Sequence, residues 1–176
     1  MRFPLALVTF LLTFAIAAPA FATTVVFPDG TPAQPYQTWV NSSLVPGPPG
    51  TVVVNLAGCP TGAAPEWAAA CAMPSEHEIY LGPDGRTKAA FFHELGHVFD
   101  ASVMTDPLRQ SFALLVRRPG VWGTVATVSD PPSEQFAEAY SMCARHRRIR
   151  SVAYGMYSYT PTPAQHLRAC ALIRQA

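Results

Sequence analysis

Apolar residues form short, strand-like segments in the first half of the chain and longer segments with helical spacing in the second half. Alternating apolar positions occur at 24–27 and 36–40, and three successive valines within 51–56 are typical of a buried strand. Residues 76–81 alternate well enough for another strand, which the turn sequence Gly-Pro-Asp-Gly follows. An alanine-rich stretch at 66–72 favours a short helical turn.

Helical spacing in the second half predicts four helices, at 87–101, 107–117, 130–147 and 163–174. Thr87 is a suitable N-cap for the first of them, and Asp130 or Ser133 is suitable for the third. Thr162, followed by a proline, begins the last helix. Because the strands precede the helices, we expect an α+β fold with a small N-terminal sheet and not a wound parallel sheet.

The first 22 residues have the pattern of a signal peptide and are not expected to belong to the fold. Arg2 precedes an apolar run at 5–18, and Ala20-Phe21-Ala22 matches the small-x-small cleavage pattern. An uncleaved membrane anchor is the alternative, but the run is shorter than the ~20 residues that a spanning helix needs. We therefore expect export, cleavage after Ala22, no membrane attachment, and a single domain at 23–176.

Charge is balanced overall and uneven along the chain. The chain has 12 basic and 11 acidic residues, so without Arg2 its formal charge is zero, and nucleic acid is not an expected partner. All acidic residues lie at or before Glu138, whereas the last part of the chain is rich in arginine. This distribution either favours an anionic surface such as a cell envelope or reflects solvated helix ends.

The chain has four cysteines, an even number that in an exported protein predicts two disulfides. Pairing Cys59 with Cys71 and Cys143 with Cys170 closes the two shortest loops, and we favour it over the other two pairings. Zinc binding by the thiols is the alternative, but no Cys-x2-Cys pair occurs and an oxidising compartment disfavours free thiolates.

The motif His93-Glu94-Leu95-Gly96-His97 lies within the predicted helix at 87–101. His93 and His97 are four residues apart, so both imidazoles project from one face of the helix and can reach one metal ion. Glu94 is rotated by about 100° from His93, which suits it to take a proton from a metal-bound water. Zinc lowers the pKa of such a water to roughly 7, so a carboxylate can serve as the base.

Gly96 and the apolar residues near the motif indicate how the rest of the protein packs around it. Without a side chain, Gly96 allows another element to pack closely against the helix, opposite the metal. Apolar residues surround the motif and indicate burial on most sides: Phe91, Phe92, Leu95, Val98 and Phe99. Buried histidine and glutamate need polar partners, which a metal supplies. The alternative is a pair of core histidines on an amphipathic helix.

A catalytic zinc needs a third protein ligand. Val103 excludes a His or Asp six residues after His97. Asp100 shares the helix face of the two histidines and is better placed to orient a ligand imidazole than to bind zinc; an Asp at the surface of the helix end is the alternative. Glu134 and Glu138, four residues apart on a later helix, repel each other unless a cation lies nearby. They are ligand candidates or a solvated acidic stripe.

The two segments 93–100 (HELGHVFD) and 134–140 (EQFAEAY) together resemble the catalytic domain of the anthrax lethal factor group of gluzincin zinc metallopeptidases. The resemblance implies a zincin-like fold, with the sheet packed on the active-site helix. It also implies Zn²⁺ held by His93, His97 and Glu134, with Glu94 as general base and Glu138 as a partner of the ligands.

One position departs from the pattern of that group, which has a tyrosine seven residues before the ligand glutamate as donor to the oxyanion. Here that position is Thr127. Six residues are substitutes between which the sequence does not choose: Tyr140, Tyr154, Tyr157, Tyr159, His146 and His166. The aromatic cluster at 154–159 either stacks against a ligand or packs on the core.

These observations predict a secreted, monomeric zinc peptidase that cleaves a peptide, a protein or a cell-wall peptide. The strand at 76–81 is expected to align an extended substrate through backbone hydrogen bonds. A zinc-stabilised binding protein without catalysis is one alternative, motivated by Thr127. A disulfide-stapled surface protein without metal is the other.

Overall fold

The computed structural model describes residues 22–64, 68–118, 121–123 and 131–176. The predicted leader therefore lies outside the described residues, apart from Ala22. The strands are β1 (Thr23–Val26), β2 (Gly50–Asn55), β3 (Ala70–Met73) and β4 (Glu78–Leu81). The helices are α1 (Tyr36–Asn41), α2 (Lys88–Val103), α3 (Asp106–Val116), α4 (Pro132–Arg145) and α5 (Pro163–Ile173).

The strands form one sheet in the order β1-β2-β4-β3. β1 pairs with β2 and β2 with β4 in parallel, whereas β3 is antiparallel to β4. Helix α1 lies between β1 and β2 in the chain, where a parallel pair needs a crossover connection. The predicted α+β class with a small sheet is confirmed, although the sequence did not predict that three strands run parallel.

Helix α2 supplies much of the core and packs against β3, β4 and α4. The Thr87 hydroxyl accepts a hydrogen bond from the backbone N–H of Ala90 at 3.1 Å, which confirms the predicted N-cap. Phe91, Phe92 and Leu95 are fully buried, as expected for a helix covered on most sides. Burial of each such side chain contributes roughly 1.5–3 kcal/mol, so packing fixes the position of this helix.

The starts of the later helices differ in their caps. At α5, Thr162 forms a capping box with Gln165, in agreement with the predicted start. Helix α4 begins at Pro132 with Pro131 at the N-cap position and no side-chain cap. The predicted cap Ser133 lies instead inside its first turn, and the other predicted cap, Asp130, lies outside the described residues.

Three local predictions are wrong. The alternating segment at 36–40 forms most of α1, and a segment of five residues is too short to distinguish helix from strand by periodicity. The alanine-rich stretch ends in strand β3, which pairs with β4 over its whole length. Strand β4 has neighbours on both sides, β2 and β3, so its backbone cannot receive a substrate strand.

Both predicted disulfides are present, Cys59–Cys71 and Cys143–Cys170. The first ties the segment before β3 to that strand, and the second joins α4 to α5. Two disulfides fit an extracytoplasmic protein. Among the described residues, no helix has the length and apolarity to cross a membrane.

Candidate metal centre

Helices α2 and α4 bring His93, His97 and Glu134 together. One nitrogen or oxygen from each of the three lies within 4.8 Å of the others. The Oε2 atom of Glu134 is 3.1 Å from Nε2 of His93 and 3.4 Å from Nε2 of His97. Two imidazoles and one carboxylate are the ligand set of a catalytic zinc ion, so the donors that converge here fit zinc.

Close contact between the two helices depends on Gly96. A Cβ atom at this position would lie 2.9 Å from Cα of Ala137 and 3.1 Å from Cβ of Tyr140, both on α4. The predicted close approach is therefore present. It occurs against the helix that carries Glu134 and not opposite the metal centre, so the absence of a side chain helps to set the distance between the candidate ligands.

Glu138 lies behind His93. Its Oε2 atom is 3.3 Å from Nδ1 of His93, while Nε2 of the same ring faces Glu134. A carboxylate on Nδ1 holds the proton there and leaves Nε2 available for a metal, the usual arrangement for a ligand histidine. The side chain of Glu138 is 9% exposed and that of Glu134 is 26% exposed, so Glu134 lies on the open side of the centre.

The titration properties of the metal-free centre follow from these contacts. Burial lowers the pKa of His93, but hydrogen bonds to Glu134 and Glu138 outweigh burial and bring it to about 9. For Glu134, burial raises the pKa, and hydrogen bonds from His93 and His97 nevertheless hold it well below its usual value. The metal-free centre is therefore a buried ion pair at neutral pH.

Glu94 is buried beside the two histidines, with 7% of its surface exposed. Burial raises its pKa above the usual value, while the charges of His97 and His93 act in the opposite direction. In the described part of the chain, no hydrogen bond occupies its carboxylate. A buried, hydrogen-bond-free carboxylate with a raised pKa is suited to accept a proton from a nearby water.

Asp100 forms its side-chain hydrogen bonds with residues other than the two histidines. Its Oδ1 accepts a hydrogen bond from Nε of Arg109 and its Oδ2 accepts one from Nε1 of Trp122, each at 2.8 Å. The hydrogen bonds of Asp100 in the described part of the chain thus join the end of α2 to α3 and to the segment 121–123. It is 9% exposed, so it is not a solvated surface residue either.

Tyr157 is the aromatic residue that reaches the centre. Its ring stacks on that of His93, with centroids 5.1 Å apart and planes at 24°. Burial, together with the negative charges of Glu134, Glu94 and Glu138, raises the pKa of its phenol above the usual value. The phenol is therefore a neutral hydrogen-bond donor at physiological pH.

The other five candidate donors are placed elsewhere. Tyr140 donates to the carbonyl oxygen of Pro46 at 2.7 Å, and Tyr154 is 87% exposed. Tyr159 is buried in contact with Phe112. Nε2 of His166 is 2.8 Å from the carbonyl oxygen of His146, and His146 itself is exposed. Thr127 lies outside the described residues.

A second group of metal-binding residue types consists of Cys143, His166 and Cys170. The two cysteines form a disulfide, so neither offers a thiolate to a metal. Nδ1 of His166 is 3.8 Å from Sγ of Cys170, and His166 is fully buried. This group is a structural link between α4 and α5, as predicted for the cysteines.

Comparison with known proteins identifies no relative: no family model, no curated protein and no solved structure matches the chain.

The sequence named Tyr157 among six candidate donors but gave no reason to choose it, and it did not indicate the residues that hold it. Tyr157 follows Glu138 by 19 positions, outside any helical spacing, and it reaches the centre through a loop. The available signal was its place in a glycine-containing aromatic cluster beyond the helix that carries Glu134, a composition for which core packing was the favoured explanation.

Proposed function

We propose that the chain is an extracytoplasmic zinc-dependent peptidase. The observation that carries the proposal is the convergence of ligand atoms from His93, His97 and Glu134 within 4.8 Å, with Glu94 buried beside them. The resemblance of segments 93–100 and 134–140 to the lethal factor group of gluzincins supports the same function. The pair of disulfides supports an extracytoplasmic location.

Under this proposal the protein side chains divide the work. His93, His97 and Glu134 would hold zinc, which when bound would supply a Lewis acid for a water and a peptide carbonyl. Glu94 accepts the proton of the attacking water and transfers it to the leaving amine, a use consistent with its burial and raised pKa. Glu138 fixes the tautomer of His93 through Nδ1.

The substrate approaches from the side of His97 and Glu134, whose side chains are 17% and 26% exposed, whereas that of His93 is only 5% exposed. Strand β3 lies at the edge of the sheet and packs against α2. In the described residues it pairs with β4 alone, so its outer edge is free to bind an extended peptide by strand addition. We therefore assign to β3 the role that the sequence suggested for β4.

Glu94→Gln tests the proposal, because it keeps the shape of the side chain and removes the base. The expected result is unchanged zinc content and a loss of hydrolysis of about 10²-fold or more, measured on unfolded casein and on purified cell-wall peptides. Asp84→Asn, which removes an exposed acid away from the centre, serves as the matched control and should retain full activity.

Zinc content separates the two acids of α4. Glu134→Ala should lose stoichiometric zinc, whereas Glu138→Gln should retain it with about 10–100-fold lower affinity, the effect typical of partners of ligand histidines. If purified Glu94→Gln hydrolyses as fast as the wild type, the proposed mechanism is wrong. A wild type that holds one zinc ion and cleaves no substrate would instead indicate a zinc-stabilised binding protein.

A further inference from the structure

A loop after α4 folds back on itself next to the candidate metal centre. Two backbone hydrogen bonds close it, from Ala153 to the carbonyl oxygen of Pro161 at 3.2 Å and from Gly155 to that of Tyr159 at 2.8 Å. A third bond, from the N–H of Tyr159 to the oxygen of Met156 at 3.0 Å, forms a tight turn within it. The loop therefore holds its own conformation and presents Tyr157 at the turn.

Helix α4 fixes this loop at two points. The side chain of Gln135, 2% exposed, donates a hydrogen bond to the carbonyl oxygen of Tyr157 at 3.1 Å. At Gly155, an added Cβ would lie 2.8 Å from Cγ of Glu138, so the loop backbone touches the residue that orients His93. The loop and the ligands thus share one supporting helix.

The backbone of Tyr157 has an unfavourable conformation. Tyr157 and the following Ser158 have φ angles of +52° and +55°, in the left-handed region that residues with side chains rarely occupy. Each such residue costs on the order of 1 kcal/mol or more, and such strain concentrates at functional sites. Here it accompanies the placement of the Tyr157 ring on His93.

Packing explains the aromatic ring of Tyr157 but not its hydroxyl group. A phenylalanine would stack equally well on His93, and within the described part of the chain the hydroxyl has no hydrogen-bond partner. Tyr157 is partly exposed, and its phenol is close enough to Glu134 and Glu94 for their charges to raise its pKa. Its donor group is therefore available to a bound substrate.

We propose that Tyr157 is a catalytic residue that donates a hydrogen bond from its hydroxyl to the substrate carbonyl oxygen as that oxygen gains negative charge. This inference rests on the proposed peptidase function and supplies a donor from a position other than 127. No proton is transferred in this role. Donors of this kind contribute about 10²–10³-fold to the rate.

Tyr157→Phe tests the assignment, because the substitution keeps the ring and removes only the hydroxyl. Acetohydroxamate, a small zinc-binding amide analogue, serves as a probe that requires no knowledge of the substrate. We expect unchanged zinc affinity, about tenfold weaker acetohydroxamate binding and, on casein, a fall in kcat of about 10²-fold with little change in KM. Tyr154→Phe, in the same loop but 87% exposed, is the matched control and should behave as the wild type.

Three results would overturn the assignment. The first is equal acetohydroxamate affinity in Tyr157→Phe and the wild type. The second is loss of zinc in Tyr157→Phe, which would make Tyr157 a structural residue or a ligand. The third is a tyrosinate charge-transfer band in the copper-substituted wild type, which would make Tyr157 a ligand. If acetohydroxamate binding depends on the hydroxyl but no substrate is cleaved, the donor assignment stands and the proposed peptidase function fails.

Discussion

Gly96→Ala probes the contact that helps to set the distance between the two helices that carry the candidate ligands. The new Cβ would lie 2.9 Å from Cα of Ala137, 3.1 Å from Cβ of Tyr140 and 3.2 Å from the carbonyl oxygen of Ala137. Carbon atoms in favourable contact are about 3.5–4.0 Å apart, so the helices must separate by roughly half an ångström. Backbone atoms of α4 cannot yield individually, and the helix must therefore shift as a unit.

Two opposing effects determine the stability of this variant. Overpacking of a close contact costs about 1–3 kcal/mol, whereas alanine is favoured over glycine inside a helix by about 1 kcal/mol. We therefore expect a net loss of up to about 2 kcal/mol. Zinc affinity should fall more clearly, by tenfold or more, because Glu134 moves with α4 and metal–ligand distances tolerate only about 0.2 Å.

Chelator competition gives the zinc affinity of Gly96→Ala, and urea unfolding of the metal-free protein gives its stability. Gly58→Ala is the matched control, because a Cβ at Gly58 meets no atom within 4 Å. The reasoning would be refuted if Gly96→Ala bound zinc as tightly as the wild type and gained about 1 kcal/mol of stability, as helix propensity alone predicts.

Three further predictions concern the pH dependence of stability, the release of a proton on zinc binding, and the disulfide between α4 and α5. In the metal-free protein the pKa of His93 is raised to about 9. Protonated His93 therefore stabilises the fold fully below the pKa of histidine in the unfolded chain, near 6.5, and this stabilisation is lost as the pH rises towards 9. Unfolding experiments on the metal-free protein from pH 6 to pH 9 should show a loss on the order of 3 kcal/mol in the free energy of unfolding. Over the same range zinc must displace a proton from His93, so calorimetry in buffers of different ionisation enthalpy should show about one proton released per zinc at pH 7, and no release would contradict the assignment. Cys143→Ser combined with Cys170→Ser opens a loop with a sequence separation of 27, which should cost about 3.5 kcal/mol in unfolding experiments, whereas a loss below 1 kcal/mol would show that this link constrains little.

Helix caps and helical spacing in the sequence correctly predicted those features of the fold that depend on residues close together in the chain. The start of α2 follows from the Thr87 cap and that of α5 from Thr162, since each hydroxyl satisfies a backbone N–H in the first turn. Helical spacing likewise placed His93 and His97 on one face. These features need only residues within one or two turns of each other.

Strand identity and order depended on tertiary pairing and were predicted less well. Strand β3 contains alanine and methionine, which favour helices, but it pairs along β4 and is tied to residue 59 by a disulfide. The same pairing makes β4 an inner strand. No periodicity within either segment contains this information.

The environments of Asp100 and Tyr157 show the same limit at the candidate centre. Spacing along α2 placed Asp100 on the face of the histidines, but Arg109 and Trp122, from outside that helix, form its hydrogen bonds. Tyr157 reaches His93 through a loop with a left-handed backbone, a conformation that the residue type itself disfavours.

The charges at the centre argue for a divalent cation. Three carboxylates, those of Glu94, Glu134 and Glu138, lie around two imidazoles in a largely buried space, so neutral histidines would leave an excess of negative charge. In the metal-free protein the proton on His93 offsets part of this excess, which is why the pKa of His93 is raised despite its burial. A divalent ion between His93, His97 and Glu134 would replace that proton and add one further positive charge. Its charge would oppose the effect of burial, which raises the pKa of Glu94, and so favour the ionised form that the proposed hydrolysis requires of this base.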